Sequence, residues 1–158
     1  RYAKLEGINQ DELHLLRTAV LYHDAGFILR YDNNEDFAIQ LAQHNLPNFG
    51  YTDEQINVIS GIIAATKPSQ KPTTLLEKIM RDADHDYLGR ADYKLIASRL
   101  RSELSVINGI NMDEKEWVEF QLNYLKNKHT YFTETAKNIR NSGKNARINE
   151  LITQLNRF

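Results

Sequence analysis

Two short runs of the sequence concentrate side chains able to bind a cation or move a proton: His23-Asp24, followed by Ala25-Gly26, and Asp82-Ala83-Asp84-His85-Asp86. With no cysteine in the chain, disulfides and thiolate metal sites are excluded, and His, Asp and Glu are the only strong metal ligands. His23-Asp24 falls where the first full helix ends. The two side chains therefore need not diverge as they would in a helix interior, and both can reach one cation. The competing reading is a histidine placed near a helix C-terminus simply because the helix dipole favours it there. In the second run, carboxylates crowd the last turns of a helix that starts near Thr74, where they oppose the dipole and invite a compensating cation. At about 100° per residue, Asp84 and Asp86 fall on opposite margins of the apolar stripe and Asp82 lies farther out. Periodicity does not choose between Asp84 and Asp86.

The elements that must position these residues read as helices throughout. Asn9 with Glu12, Thr52 with Gln55, Thr74 with Glu77 and Asn111 with Glu114 each place a capping oxygen three residues before a Glu or Gln that can return the bond. Apolar residues then recur at three or four positions: Leu13, Leu16 and Val20; Phe37 and Leu41; Ile56, Ile59 and Ile63; Leu76, Ile79, Met80 and Ala83. The pattern continues through Tyr93, Ile96, Leu100 and Leu104, then Trp117, Phe120, Tyr124 and Leu125. The last helix carries Ala136 and Ile139, passes a weak point at Ser142-Gly143 and resumes with Ile148, Leu151, Ile152 and Leu155. Breaks are expected at Gly26, Leu46-Pro47, Lys67-Pro68 to Pro72, Gly89 and Ile107-Asn108-Gly109, where Pro or Gly disfavours helix continuation. No alternating strand of convincing length is present.

Composition sets the outer limits. A chain of 158 residues with 41% hydrophobic and 26% charged residues fits one globular domain rather than a disordered chain. Lys and Arg number 20 against 21 acidic residues, so no global field favours nucleic acid or anionic lipid. The basic residues Lys137, Arg140, Lys144, Arg147 and Arg157 read as a solvated helix face. No apolar run approaches the roughly 18–20 residues that span a bilayer, and the absence of cysteine points to a cytoplasmic protein without a membrane partner.

Leu21-Tyr22-His23-Asp24-Ala25-Gly26-Phe27, followed by Asp82-Ala83-Asp84-His85-Asp86-Tyr87-Leu88-Gly89-Arg90, resembles the HD-domain superfamily of metal-dependent phosphohydrolases. Leu46-Pro47-Asn48-Phe49-Gly50-Tyr51 and Ile62-Ile63-Ala64-Ala65-Thr66 resemble a bacterial branch of predicted phosphohydrolases, and Gln121, Leu125, His129, Tyr131, Thr133, Arg140 and Lys144 are similar to its C-terminal pattern. The resemblance spans nearly the whole chain. It implies an all-α, HD-domain-like helical bundle over residues 1–158, with His23, Asp24 and Asp84 as ligands of one divalent metal ion. Imidazole and carboxylate together suit Mn, Fe, Co, Ni or Zn better than Mg alone. The implied reaction is hydrolysis of a phosphomonoester or phosphodiester, with nucleotides the leading substrate class. In the superfamily an upstream His supplies a fourth ligand. His14, nine residues before His23, faces the other way, and the helical tail Tyr2 to Gly7 is the expected place for such a helix to end, so a further segment is expected before Arg1.

Several positions depart from the family pattern. Gly26-Phe27 stands where many members have Gly-Lys, and Asn34-Glu35 where the branch often has His-Glu. Positions that supply second-metal histidines in dinuclear relatives fall near Asn34 and Thr66, so one metal is expected rather than two, with Asn34 and Thr66 left as substrate contacts. Glu35 is the candidate acid–base or water-orienting residue, and Arg90, beside the metal motif, the candidate phosphate contact. His44 and His85 read as exposed helix histidines, and His129 with Tyr131 and Thr133 as a buried polar network. The alternative function is a regulatory HD module that senses a ligand without turnover, working with an upstream domain or a second copy of the chain.

Overall fold

The computed structural model describes residues 1–158 and is all-α, with no strand. The chain, expected as one domain, divides into two compact units, Arg1–Asp84 and His85–Phe158. No helix is long and apolar enough to cross a membrane.

The first unit contains α1 (Tyr2–Leu5), α2 (Gln10–Tyr22), α3 (Asn34–Asn45), α4 (Asp53–Ala64) and α5 (Leu75–Asp84). Reciprocal capping boxes start α2 at Asn9 and Glu12 and α4 at Thr52 and Gln55, and Thr74 exchanges the same pair of bonds with Glu77 ahead of α5. Each box satisfies backbone N–H groups that a helix start leaves orphaned. The expected breaks become 3-10 turns at Ala25–Ile28 and Leu46–Phe49. The central element is α4, whose Ile56, Ile59, Ile62 and Ile63 are buried and which packs against α2, α3 and α5. In α2 the buried face differs from the expected stripe: Leu16, Thr18 and Ala19 are inside, and Val20 is 46% exposed. Tyr51 explains the shift. Its hydroxyl bonds to Thr18 Oγ1 at 2.7 Å and to His14 Nε2 at 2.8 Å while its ring stacks on the His14 imidazole. The buried hydroxyl of Thr18 is thus satisfied, which removes the main cost of placing it inside.

The last turn of α5 corrects a second expectation. Asp82, read as lying outside the stripe, is 1% exposed, while Ala83 is exposed. The buried line runs Leu76, Ile79, Asp82, a three-residue step that stays on one face.

The second unit opens with a 3-10 turn, Asp86–Gly89, followed by α6 (Tyr93–Asn108), α7 (Glu114–Asn123), one π turn at Tyr124–Lys128, and α8 (Glu134–Leu155). Its core holds Leu88, Tyr93, Ala97, Trp117, Val118, Leu125 and Leu151. The box that starts α7 is Asp113 with Glu116 rather than Asn111 with Glu114, because the Asn111 side chain is taken by Ser105. The π turn is closed by the buried Lys144, whose amine donates to the His129 carbonyl at 2.6 Å; burial lowers its pKa. His85 also departs from expectation. It is half-buried, its Nε2 bonds to the Tyr124 hydroxyl at 3.1 Å, and its ring meets His129 edge-on. His44 is exposed as expected, and His129 and Tyr131 are buried.

Nor is Ser142-Gly143 a weak point, since α8 runs unbroken through it. A Cβ on Gly143 would stand 2.1 Å from the Gly89 carbonyl oxygen, so the glycine lets the Asp86–Gly89 turn lie directly on the helix backbone. The same contact brings Arg140 to Asp86, which it grips through Nε and Nη2.

These contacts give two expected outcomes in urea denaturation. Gly to Ala inside a helix ordinarily stabilises by about 0.5–1 kcal/mol, yet Gly143→Ala should destabilise, by about 2 kcal/mol, because the added methyl has no room. Asp113→Ala should cost about 1 kcal/mol through loss of its cap. Asn111→Ala should cost under about 0.5 kcal/mol, as an exposed position outside the cap.

Candidate metal centre

His23 is the C-cap residue of α2, with its N–H on the Ala19 carbonyl. Asp24 follows it into the Ala25–Ile28 turn, and Asp84 is the last residue of α5. The structure brings all three together. His23 Nε2 lies 3.2 Å from Asp24 Oδ2 and 3.9 Å from Asp84 Oδ1. The side chains of His23, Asp84 and Asp24 are 18%, 33% and 64% exposed, so the imidazole is sheltered and the carboxylates reach the surface.

The ring orientation is fixed from behind. His23 Nδ1 is 2.9 Å from the Val20 carbonyl, an oxygen that can only accept, so Nδ1 carries the proton. In the neutral imidazole that leaves the Nε2 lone pair directed at two carboxylate oxygens. Such an arrangement is repulsive unless something positive stands between the atoms. The helix dipoles add to the demand, because α2 and α5 both end here and each presents its partial negative charge.

A proton answers that demand in part. Burial pushes the His23 pKa down, but the hydrogen bond to Asp24, the bond to the Val20 carbonyl and the charges of Asp24 and Asp84 outweigh it and hold the group above 6.5. A divalent ion answers it in another way. Donors about 2.1 Å from one ion lie roughly 3.0–3.4 Å apart in octahedral or tetrahedral geometry. The His23–Asp24 separation fits that range, and the His23–Asp84 separation is longer. As placed, no three His, Asp or Glu side chains anywhere in the chain are gathered closely enough to hold a metal ion together. The donor set nevertheless suits a cation, since a histidine oriented by a carbonyl and faced by two carboxylates is the usual composition of such sites.

The neighbouring elements are held by contacts that sequence reading did not single out. Gly26 is needed because a Cβ there would stand 1.7 Å from the Asn34 carbonyl oxygen. That approach fixes the turn carrying Asp24 against the start of α3. Arg81, one turn before Asp84, donates through Nη1 to the carbonyls of Ala65 and Thr66 at the end of α4. The sequence signal for it was only a cation in the last turn of a helix.

The remaining candidates are placed as follows. Asn34 is buried and opens α3, preceded by Asn33 in the left-handed region at φ 53°, and Glu35 is half-buried in the first turn of the same helix. Thr66 is buried with its hydroxyl donating to the Ile63 carbonyl at 2.7 Å. Arg90 belongs to the second unit, where its guanidinium grips Asp92 through Nε and Nη2. Asp86, the other margin of the acidic run, is engaged by Arg140, while Asp84 faces His23.

In protein stripped of metal by a chelator, His23 should titrate above 6.5 by NMR, and Asp24→Asn and Asp84→Asn should each lower it. Because the folded value is raised, the stabilisation from this group is complete below the unfolded pKa near 6.5 and is lost as pH rises through the folded value. A His23 that titrates below 6.5 would overturn this electrostatic account. Comparison of the chain with protein-family models, with curated proteins and with solved structures gives no match.

Proposed function

We propose that the protein is a metal-dependent phosphohydrolase whose single divalent ion is held by His23, Asp24 and Asp84, acting on a phosphomonoester or phosphodiester with a nucleotide-like body. The observation that supports this most directly is the His23 ring, pinned by the Val20 carbonyl with Nε2 turned toward two carboxylates. The resemblance to the HD superfamily supplies the reaction class.

A bound divalent ion supplies Lewis acidity and makes a water nucleophilic near neutral pH. The residues supply the rest. Val20 fixes the imidazole tautomer, which keeps Nε2 available once its proton has left. Asp24 and Asp84 balance the charge of the ion and, being partly exposed, leave the site open to a phosphate ester from solvent. Glu35 is assigned to orient or deprotonate water, and Asn34 and Thr66 to contact substrate. Arg90, with its fork already on Asp92, acts on phosphate as a supporting charge.

A regulatory module without turnover is the second reading, and Phe27 favours it. The residue is 45% exposed and packs on Tyr31, where the family often sets a phosphate-binding lysine.

Calorimetric titration with Mn2+ or Zn2+ should show one ion per chain, with proton release from His23 near pH 6.5. His23→Ala and Asp84→Ala should each weaken metal binding at least about tenfold and nearly abolish hydrolysis of nucleotide mono-, di- and cyclic phosphates. Arg90→Ala should cost no more than about tenfold in rate, equivalent to about 1.4 kcal/mol. Circular dichroism must show that each variant keeps its helices. If the metal-loaded protein hydrolyses none of these esters, yet one of them raises its Tm by binding the folded state, the regulatory reading replaces the enzyme.

A further inference from the structure

The second unit contains a cavity of about 710 Å3 between α6, α7 and α8, bordered by Tyr93, Trp117, Arg147 and Arg157. A narrower cavity of about 230 Å3 is lined by Tyr87, Phe120 and Tyr124 and shares Tyr93, Ala97, Trp117 and Gln121 with the first. Shared walls make the two a wide chamber and an aromatic annex. The chamber is in the range of small-molecule pockets, and the annex, below that range by itself, has room for one planar ring system.

Charge decides what kind of molecule. Glu150 is held by Lys94 at 3.2 Å and by Arg147, whose Nη1 reaches both carboxylate oxygens at 2.9 Å. Glu114 is held by Arg101. The acids of the chamber are thus already neutralised, whereas Arg157 pairs with no carboxylate. More tellingly, Arg147 Nε is buried with no hydrogen-bond partner. A buried N–H without an acceptor is costly, and the edge of a guanidinium that carries Nε is the one that grips a carboxylate or phosphate side-on. In the annex the Tyr93 and Gln121 side chains are spent on one another, and His85 Nε2, also in its wall, is engaged by the Tyr124 hydroxyl. The Tyr93 hydroxyl donates to Gln121 Oε1, and Gln121 Nε2 donates to the Trp117 carbonyl. A ring there is held mainly by stacking on these aromatic walls.

We propose that the second unit carries a binding site of its own for a small aromatic anion, its ring in the annex beside Trp117 and its phosphate or carboxylate on Arg147. The site is separate from the His23 centre and uses none of its residues.

Trp117 is the only tryptophan of the chain and lines both cavities, so its fluorescence reports occupancy directly. Titrations of the whole protein in EDTA, which removes any contribution from metal, should show saturable quenching by AMP, the phosphate probe, or by phenylacetate, the carboxylate probe, with excitation at a wavelength neither probe absorbs. The probe that binds identifies the anion. Adenosine and phenylacetamide, which lack it, should bind at least about tenfold more weakly, as should AMP or phenylacetate to Arg147→Met. Arg147→Lys, which keeps the charge but loses the fork, should fall between wild type and Arg147→Met, and it serves as the deciding variant if Arg147→Met loses its helical circular dichroism. Absence of saturable quenching by either anion up to about 5 mM would overturn the proposal. So would equal affinity for the neutral probes, or wild-type affinity in Arg147→Lys together with a folded Arg147→Met.

Discussion

One imidazole between two carboxylates and two helix C-termini is the constraint around which the first unit is arranged. Each of these five groups is negative or directs a lone pair into the same small volume, and they would separate without a positive charge among them. The proton on His23 supplies it, which is why the imidazole holds that proton more tightly than its burial alone would allow. A metal ion bound as proposed would have to compete with that proton for the same lone pair. The Val20 carbonyl does not take part in that competition, but it decides which ring nitrogen is the contested one.

Holding two helix ends together against their own field requires contacts elsewhere. Arg81 ties the last turn of α5 to the final carbonyls of α4, bringing a cation to orphaned acceptors and fixing the helix that ends in Asp84. On the other side, the turn after Asp24 is pressed onto the start of α3. Only a residue without a Cβ permits the approach of Gly26 to the Asn34 carbonyl, and the nearby Ala38 and Ala42 are wholly buried. Small residues thus set the position of Asp24, and a long cation sets that of Asp84.

How much of this could be read from the sequence depended on whether the cause was local. Caps at Asn9, Thr52 and Thr74 and the isoleucine stripe of α4 are local, and they hold. Asp113 displaces Asn111 as the cap because Ser105, on the last turns of α6, takes the asparagine oxygen. Gly143 reads as a helix weakness in isolation, but its reason is Gly89, far away in the chain. Asp82 and His85 were misjudged in the same way, since periodicity assigns a face but not the partners that make a polar group tolerable on it. The meeting of His23 with Asp84 was legible only through the family resemblance, because no spacing argument links positions that distant. Arg81 and the Val20 carbonyl were invisible to both approaches: one looks like an ordinary surface cation, and the other is backbone.

The formal net charge of -1 conceals two local imbalances of opposite sign. At His23 the surroundings are short of positive charge. In the chamber of the second unit the acids are already matched, and the guanidinium edge of Arg147 and the side chain of Arg157 remain in excess. The near-neutral total reports neither, so bulk composition gives no global field toward polyanions and does not bear on either site. What matters at each is the local accounting of lone pairs and N–H groups. A lone pair without a cation and an N–H without an acceptor are both unfavourable when sheltered from water. Each therefore specifies the chemistry of what would relieve it: a cation at His23, an anion at Arg147.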